Sequence, residues 1–396
     1  YYDLRLAANR IASLQRLFGI TLQMLVVYLV VFFLSPRGSL PRLFILYYGI
    51  ASFVLLAAWR MINPALLGWA SEPRRLLIVG TDWAAQAIIN AIREQPDAAY
   101  DIKGIIGDAS DVGKVIDGVP VIGAGVDLLN FVQRDRIAEL VVTSTRELAG
   151  DIFQGVMDAY ERGVTITPMP LLYERLTGRV PVEHINNSWA VVLPIEGQSL
   201  FNAYRFLKRF LDITLSLVGM VFFLAALPFI ALVIRLESKG PIFYTQERVG
   251  LNGRIFNIIK FRTMVADAEI HSGPVFAQQN DPRVTRVGRF MRKTRLDEIP
   301  QFINVLRGDM SLVGPRPERP FHVERLQKKI PFYRTRHVVR PGVTGWAQVR
   351  YNYGSTDEDA LIKLQYDLYY IRKQSLLLDL NIMIRTAYKM IRMSGT

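Results

Sequence analysis

The chain has 396 residues, enough for two or three hydrophobic cores because single domains usually stop growing well before ~300 residues. It has no cysteine and four histidines, which excludes disulfides, thiolate catalysis and cysteine zinc sites. The formal charge of +13 is concentrated in residues 205–350, which hold 25 Lys+Arg against 11 Asp+Glu. Such a field attracts nucleic acid, anionic lipid headgroups or phosphorylated small molecules, and composition alone does not choose among them.

Two uncharged runs of 17 residues, 18–34 and 43–59, follow a basic N-terminal stretch. Each lies at the lower limit of the ~17–25 residues that cross a bilayer. We therefore predict a transmembrane helical hairpin within residues 1–70, with two helices of a soluble core as the alternative. Arginines beyond both outer ends favour a cytoplasmic position for those ends, although Arg37 and Arg42 in the loop weaken this orientation. The first residue is not Met and a basic helical stretch precedes the first apolar run, so we expect a fragment of a longer protein. No secretory signal peptide is evident.

Short apolar segments alternate with helical stretches over residues 71–170. The segments with strand character are 76–79, 102–106, 119–122, 140–143 and 164–167. This alternation predicts a parallel, Rossmann-like α/β module. After the first strand the chain reads Gly80-Thr81-Asp82-Trp83, which keeps one glycine of a dinucleotide-binding G-x-G-x-x-G loop and puts Trp83 in the way of a pyrophosphate. A module without a cofactor is therefore favoured over an NAD site.

Residues 171–204 are predicted to be an irregular connector to a basic domain over 205–396. That domain opens with a predicted membrane helix, 211–235, whose uncharged run of 22 residues spans 213–234. Pro228 interrupts the run and predicts a kink, because proline removes a helical hydrogen bond.

Cations flank the membrane helix on both sides. Lys208 and Arg209 precede it, and Arg235 and Lys239 follow it. Because flanking cations favour the cytoplasmic side, we predict a re-entrant helix that enters and leaves on one face. A spanning helix with a proline kink is the alternative.

A β-hairpin is predicted after the membrane helix, over residues 242–248 and 254–261, because Asn252-Gly253 lies between two strand-like runs. It carries Lys260-Phe261-Arg262-Thr263-Met264 at its end. Lys260 and Arg262 are expected on one face, as a strand alternates its side chains. A solvated edge is the ordinary alternative for these two cations.

Two adjacent acids, Asp297 and Glu298, follow a cationic stretch and precede Pro300. The basic residues recur at helical spacing and form one stripe: Arg286, Arg289, Arg292 and Lys293. Since proline is tolerated in the first turn of a helix, the acids are predicted at a helix start. Capping by Asp297, with Glu298 complementing the dipole, is an ordinary structural role there. The many arginines exceed what capping needs and fit a doubly phosphorylated substrate.

Two further turns and two C-terminal helices complete the basic domain. A proline-fixed turn over 314–319 contains Arg316, and a glycine-containing loop over 340–348 offers backbone N–H groups for a phosphate or a uracil edge, or is a simple tight turn. Residues 359–373 and 376–393 alternate apolar and basic side chains, as helices at a membrane interface or on a core do.

Six ordered motifs of this domain resemble the catalytic domain of the monotopic polyprenyl-phosphate phosphoglycosyl transferases, and the whole layout resembles their large, WbaP-like bacterial members. The motifs are Lys208-Arg209 with Asp212, the membrane helix with Pro228, Lys260-Phe261-Arg262-Thr263-Met264, Leu296-Asp297-Glu298-Ile299-Pro300-Gln301, Gly314-Pro315-Arg316-Pro317-Glu318 and Pro341-Gly342-Val343-Thr344-Gly345-Trp346. The larger members carry four transmembrane helices before the Rossmann-like module, and only two are visible here.

The resemblance implies Asp297 as nucleophile and Glu298 as its partner, with both at a Mg²⁺ site. We expect nine other residues to bind substrate: Lys260, Arg262, Arg292, Arg316, Glu318, Arg340, Gly342, Thr344 and Trp346. The implied reaction moves a hexose-1-phosphate from a UDP-sugar to undecaprenyl phosphate, releasing UMP, as the first step of a surface polysaccharide pathway. The expected location is the bacterial inner membrane, with the active site on its cytoplasmic face, no nucleic acid partner and a possible homodimer.

Two other classes stay open from the sequence. A membrane-anchored NAD-dependent nucleotide-sugar dehydratase or epimerase needs an active-site Tyr-x-x-x-Lys, a spacing that Tyr204 and Lys208 have at the start of the membrane segment. A non-catalytic basic membrane scaffold or nucleic-acid binder predicts salt-sensitive binding without sequence preference.

Overall fold

The computed structural model describes residues 14, 17–25, 28, 44–66, 73–95, 100–143, 150–182, 198–265, 281–351, 354 and 356–391. The chain divides into two compact units, Tyr1–Met169 and Pro170–Thr396. After a helical stretch at residues 17–25, the helices of the first unit are α1 (Phe44–Leu66), α2 (Trp83–Arg93), α3 (Leu128–Arg134) and α4 (Gly150–Glu161). Its strands are β1 (Arg74–Val79), β2 (Tyr100–Gly107), β3 (Val115–Ile116), β4 (Val119–Ala124), β5 (Glu139–Val142) and β6 (Thr165–Pro168).

The two N-terminal apolar runs are helical where the structure describes them. Residues 17–25 form a helix that packs against α1, with the rings of Phe18 and Phe53 6.1 Å apart. Most of the side chains that the structure describes on these two helices are exposed, Met24 and Leu55 among them, as expected of surfaces that face lipid. The predicted loop at 35–42 and the end of the first run lie outside the described residues, so the transmembrane hairpin stays a prediction.

The first unit contains a mostly parallel sheet with strand order β3-β4-β2-β1-β5-β6, in which β3 alone pairs antiparallel. All five predicted strands are present, so the Rossmann-like layout is confirmed. Its buried core takes side chains from several strands, including Leu77, Val79, Ile106 and Leu140. Strand β3 was not predicted, because two residues are too short to show an alternating pattern.

The second unit is rich in helices. Its helices are α5 (Met169–Thr177), which begins at the unit boundary, α6 (Gln198–Glu237), α7 (Arg286–Thr294), α8 (Gln301–Arg307), α9 (Pro320–Lys329), α10 (Trp346–Arg350), α11 (Asp357–Arg372) and α12 (Leu376–Ile391). Its strands are β7 (Phe243–Val249), β8 (Ile255–Phe261), β9 (Ser311–Val313) and β10 (Gly342–Thr344). The antiparallel β7–β8 hairpin and both C-terminal helices match the predictions, within two residues at each end.

Helix α6 is the long apolar element of this unit. Within the described residues, its stretch Tyr204–Glu237 is the one long and apolar enough to cross a membrane. Pro228 lies inside α6, and the helix continues through it. One side of α6 packs on the rest of the unit through Phe223 and Ile234, whereas residues such as Phe229 are exposed. The re-entrant course of α6 stays a prediction.

The predicted irregular connector differs from the structure in its first part. Residues 169–177 form helix α5, and Val180 and Val182 lie fully buried in the core of the second unit. The backbone N–H of Val180 donates to the carbonyl of Gln365 at 3.2 Å. The prolines and short apolar pairs of this segment did not predict its packing, because no apolar run in it is long enough to show a helical or a strand period. Residues 183–197 lie outside the described residues.

Candidate active site

The two acids lie in a 3₁₀ turn, Leu296–Glu298, between α7 and α8. Helix α7 starts at Thr285, whose hydroxyl accepts from the N–H of Gly288 at 2.9 Å. It ends at Arg295, which adopts the left-handed conformation (φ 57°) that usually favours glycine or asparagine. This cap turns the chain sharply. The prediction that the acids stand at a helix start is confirmed, with the 3₁₀ turn intervening before α8.

Gly288 lets α7 lie directly on the segment that follows β8. A Cβ atom at this position would be 2.1 Å from the carbonyl oxygen of Thr263. From α7, the Nε of Arg292 donates to the hydroxyl of Thr263 at 2.9 Å. This close packing brings the end of the β-hairpin, with Lys260, to the acidic turn.

Glu298 is the centre of a cationic cluster. Its Oε1 accepts from Lys260 at 2.9 Å and from Arg316 at 3.1 Å, and its Oε2 is 3.6 Å from Arg295. Burial opposes ionisation of this carboxyl, but Lys260, Arg316 and Arg295 outweigh it and hold the pKa of Glu298 well below its usual range. Glu298 is therefore ionised at neutral pH, and it fixes three cations beside Asp297.

Asp297 has different surroundings from Glu298, although it is also only 8% exposed. In the described part of the chain its carboxylate has no hydrogen-bond or ion-pair partner. Burial, followed by the negative charge of Glu298, raises the pKa of Asp297 to about 6, against the opposing effect of Lys260, Arg292 and Arg316. Its side chain caps no backbone N–H there, so the ordinary capping role is not observed.

Few carboxylates are available for a metal ion at this site. Among the described residues, no group of three or more His, Cys, Asp or Glu side chains comes together. Asp297 offers an unpartnered carboxylate, and Glu298 Oε2 has only the long contact to Arg295. This set of hard oxygen donors fits Mg²⁺, which commonly keeps waters and takes one or two carboxylates plus substrate phosphates.

Of the nine predicted binding residues, the structure brings Lys260, Arg316 and Arg292 to the acids. Arg262 lies elsewhere: its guanidinium donates to the carbonyl oxygens of Ser238 and Lys239 at 2.6 and 2.8 Å, at the end of α6. Lys260 and Arg262 therefore contact different partners, and β8 ends between them at Phe261. The structure gives Arg262 a position that holds the turn after α6.

The glycine-containing loop over 340–348 is mainly packed inside the unit. Trp346 is buried and donates from Nε1 to the carbonyl of Gly178 at 3.1 Å, and Thr344 exchanges a hydrogen bond of 2.7 Å with Thr386. A Cβ at Gly342 would be 2.1 Å from the backbone nitrogen of Gly314. Gly342 therefore allows its segment to lie close to the segment of Gly314. These contacts support a structural role for the loop.

Two more predicted residues take part in contacts near the loops. Arg340 donates to the carbonyl of Gly308 at 3.0 Å, after the end of α8. Glu318 lies 3.9 Å from Arg248, and its backbone carbonyl accepts from Val249. Neither contact places the side chain at the acidic turn, and their substrate-binding role stays a prediction.

The polar residues just before the apolar run of α6 bind the rest of the second unit. Arg209 donates to the carbonyls of Val305 and Leu306, which end α8, and the carboxylate of Asp212 accepts from the N–H of Leu312 at 3.0 Å. These bonds fix α6 beside the helix that follows the acidic turn.

Tyr204 and Lys208, the pair with Tyr-x-x-x-Lys spacing, both bind one carboxylate. Their side chains donate to Asp379 at 2.9 and 3.0 Å. Tyr370 donates to the other oxygen of the same carboxylate at 2.9 Å. The pair therefore secures α6 to α12.

Sequence reasoning missed Arg295 and Thr263 as members of the site. Arg295 continues the three-residue spacing of Arg286, Arg289 and Arg292, but it lies just beyond the end of α7 in the left-handed conformation, 3.6 Å from Glu298. Thr263 stands in a motif within which no separate role was predicted for it, and its hydroxyl accepts from Arg292. The continued spacing and the proximity in sequence to Asp297 were the available signals for Arg295.

Comparison with family models divides the chain as the structure does. Residues 203–393 match the family described as bacterial sugar transferase, and residues 1–170 match the family described as CoA-binding domain. The first match contains the acidic turn, the cationic cluster and α6. The second contains the parallel sheet and the preceding apolar helices.

The described carboxyl edge of the parallel sheet does not fit a CoA diphosphate. A Cβ at Gly80 would be 2.0 Å from the hydroxyl of Thr143, so the crevice between β1 and β5 is filled there. The start of α2, where phosphates would lie, is capped by the carboxylate of Asp82, which accepts from Ala84 N–H at 3.2 Å. A second carboxylate, Asp111, accepts from Thr81 nearby. Asp111 is paired with Lys114, whereas Asp82 puts a negative charge at the helix start that a phosphate would occupy.

Several curated relatives cover long parts of the chain. A UDP-N-acetylgalactosamine-undecaprenyl-phosphate N-acetylgalactosaminephosphotransferase of Aeromonas hydrophila is 46% identical over 214 residues, 54% of this chain and 49% of that protein. A UDP-glucose:undecaprenyl-phosphate glucose-1-phosphate transferase of Escherichia coli (strain K12) is 32% identical over 354 residues, 88% of this chain and 75% of that protein. One of the same name from Xanthomonas campestris pv. campestris is 31% identical, over 81% of this chain and 67% of that protein. Together with the acidic turn and its cations, these similarities show that the chain belongs to the bacterial sugar transferases, a family of phosphoglycosyl transferases, as its motifs predicted.

Proposed function

We propose that this chain transfers a sugar-1-phosphate, such as a hexose-1-phosphate, from a UDP-sugar to undecaprenyl phosphate through a covalent intermediate on Asp297. The observation that carries the proposal is the pairing of two unlike acids. Glu298 collects Lys260, Arg316 and Arg295, while the neighbouring carboxylate of Asp297 has no partner among the described residues. A nucleophile must be free to reach the phosphorus, and the cations must already lie beside it.

The substrate classes come from the relatives. Their printed names specify undecaprenyl phosphate as acceptor and UDP-glucose or UDP-N-acetylgalactosamine as donor. A donor with two phosphates and an acceptor with one suit a cluster of at least three cations around one turn. Products of this kind begin the assembly of surface polysaccharides, which is the pathway position we assign.

In the first half of the reaction, an oxygen of the Asp297 carboxylate forms a bond to the β-phosphorus of the UDP-sugar. The bond from that phosphorus to the bridging oxygen breaks, and the bridging oxygen leaves with UMP. Asp297 must be ionised to attack, and a phosphate carries negative oxygens that repel it. Lys260, Arg292 and Arg316 lie where their charges favour the ionised carboxylate and offset this repulsion.

In the second half, a phosphate oxygen of undecaprenyl phosphate forms a bond to the same phosphorus. The bond between phosphorus and Asp297 breaks, and the carboxylate returns to its starting state with an undecaprenyl diphosphate sugar released. Dividing one displacement into two lets both substrates use a single cationic site in turn. Use of one site for both substrates fits the single compact cluster of cations around Glu298.

Asp297, assisted by Glu298, would hold the Mg²⁺ ion that we propose as cofactor. When bound, the ion neutralises phosphate oxygens and lowers the cost of charge in the transition state. The unpartnered carboxylate of Asp297 supports this assignment, because most of the binding capacity of Glu298 is taken by cations.

We place the active site at the cytoplasmic face of the bacterial inner membrane, with α6 re-entrant. Both ends of the apolar stretch of α6 are bound by the rest of the second unit: Asp212 accepts from Leu312 N–H, and Glu237 accepts from the backbone N–H groups of Arg286 and Val287 at 2.7 and 3.0 Å. A spanning helix about 37 Å long between these two acids would put its ends on opposite faces. Contacts from one folded unit to both ends support entry and exit on one face. Assembly into a homodimer stays a prediction.

The absence of native cysteine makes the topology directly testable. Arg205→Cys and Lys239→Cys place single thiols before and after the apolar stretch. We expect a membrane-impermeant maleimide to label both in inside-out vesicles and neither in right-side-out vesicles. Labelling of one thiol in each kind of vesicle would show a spanning helix.

The activity test uses the full chain in a lipid bilayer with undecaprenyl phosphate, Mg²⁺ and a panel of UDP-sugars. We expect UMP release and a lipid-linked sugar for at least one donor, and neither product with Asp297→Asn. Glu324→Gln, which changes an exposed acid on α9, is the matched control and keeps wild-type activity. Normal turnover by Asp297→Asn would eliminate the proposed nucleophile.

A further inference from the structure

The loop that brings Arg316 to Glu298 is held by four successive backbone carbonyls, each of which accepts a hydrogen bond. The acceptors and donors, with their distances, are Pro315 from Gly342 N–H (2.9 Å), Arg316 from Arg336 (3.0 Å), Pro317 from Arg248 (3.1 Å) and Glu318 from Val249 N–H (2.9 Å). The two prolines have fixed φ angles and no N–H group. The backbone of this loop has little freedom left.

Arg336 makes the contact that is centred on Arg316 itself. Its guanidinium donates to the Arg316 carbonyl, to the hydroxyl of Tyr333 at 2.6 Å and to the carboxylate of Asp367 at 2.8 Å. Both members of the Arg336–Asp367 pair are buried, with side chains 5% and 2% exposed. A buried ion pair is weak evidence for stability, because apolar replacements of similar size are often neutral or stabilising. A role other than stabilising the fold is therefore needed to explain the Arg336–Asp367 pair.

We infer that Arg336 is a positioning residue that fixes the main chain of Arg316, so that the Arg316 guanidinium meets Glu298 and the donor phosphate. The inference rests on the proposed function. Asp367 holds Arg336 in place, and the carbonyl bond transmits that position to the loop. A displacement of about 1 Å in a catalytic site can reduce the rate about a hundredfold, so a rigid anchor behind a phosphate-binding arginine has a catalytic consequence.

The test is a double-mutant cycle on the full chain in lipid. One change replaces the three residues of the network by apolar residues of similar size, so that no charge is left buried alone. It combines Tyr333→Phe, Arg336→Met and Asp367→Leu. The other change is Arg316→Ala. Arg336→Lys, which keeps the charge but loses the forked geometry, replaces the triple change in the same cycle if the triple variant does not fold. Arg325→Met, which breaks an exposed ion pair with Asp357, is the control.

We expect removal of the network to lower kcat/KM for the donor about tenfold or more when Arg316 is present, through a higher KM for the donor. In the Arg316→Ala background the same removal has no further effect. Arg325→Met changes neither quantity.

Equal losses in both backgrounds, or no loss in either, overturn the inference. Because wild type is measured in parallel, failure of the proposed function is distinguishable. In that case wild type itself releases no UMP, whereas additive losses in an active enzyme reject the positioning role alone.

Discussion

Replacing the proposed nucleophile should stabilise the protein while it abolishes activity. Burial and Glu298 raise the pKa of Asp297 from its ordinary value of 3.8 to about 6. The folded state therefore binds this proton more tightly than the unfolded state, and the resulting stability, complete below pH 3.8, is lost as pH rises through about 6. At pH 8 the ionised carboxylate costs roughly 3 kcal/mol. Asparagine does not ionise, so Asp297→Asn avoids this cost.

The expected result is a Tm for Asp297→Asn that exceeds wild type by several degrees at pH 8, with a difference that shrinks toward pH 4. Thermal unfolding of the full chain without substrate or Mg²⁺ is followed by tryptophan fluorescence from pH 4.5 to 8.5. It measures the difference in Tm between the two proteins and how that difference depends on pH. Glu324→Gln, at an exposed position, should give a small difference that is independent of pH. The reasoning is refuted if Asp297→Asn is no more stable than wild type at pH 8, or if its gain is equally large under acid conditions.

Three other outcomes follow from the same contacts. Arg316→Ala should raise the donor KM about tenfold or more through loss of a charge-assisted phosphate contact, while exposed Arg307→Ala leaves it unchanged in steady-state assays; equal KM values for both would reject the contact. Gly219→Ala should lower Tm, because a Cβ there lies 2.6 Å from the ring of Phe302, and Phe302→Leu should restore part of the loss; a neutral Gly219→Ala would contradict this packing. The donor kcat/KM of wild type should rise with pH through about 6 as Asp297 ionises, and a flat profile over that range would count against it.

Much of the fold followed from local patterns. The strands of the first unit and the β7–β8 hairpin were predictable, because alternating apolar segments and an Asn252-Gly253 turn are determined by neighbouring residues. The burial of Val180 and Val182 was not, since it depends on contacts with residues about 180 positions away, such as Gln365. Pattern reading carries no information about such distant partners.

The site was predictable in its residue types and less so in its arrangement. The concentration of arginine around Asp297 and Glu298 predicted a phosphate site, and the structure brings Lys260 and Arg316 there. The sequence did not show that the two acids differ, because the difference depends on which carboxylate receives the cations. Nor did it show that Arg262 binds the turn after α6, since a cation in a motif has the same sequence signature whether it contacts substrate or a backbone carbonyl.

The most direct test of the central claim is the intact mass of the protein after brief exposure to a UDP-sugar and Mg²⁺ without lipid acceptor. The proposal predicts a wild-type mass increased by one sugar phosphate, located on the peptide that contains Asp297, and a return to the original mass when undecaprenyl phosphate is added. Asp297→Asn should show no increase. Turnover of donor and acceptor by an enzyme that never acquires this mass, or an adduct on another residue, would contradict the account.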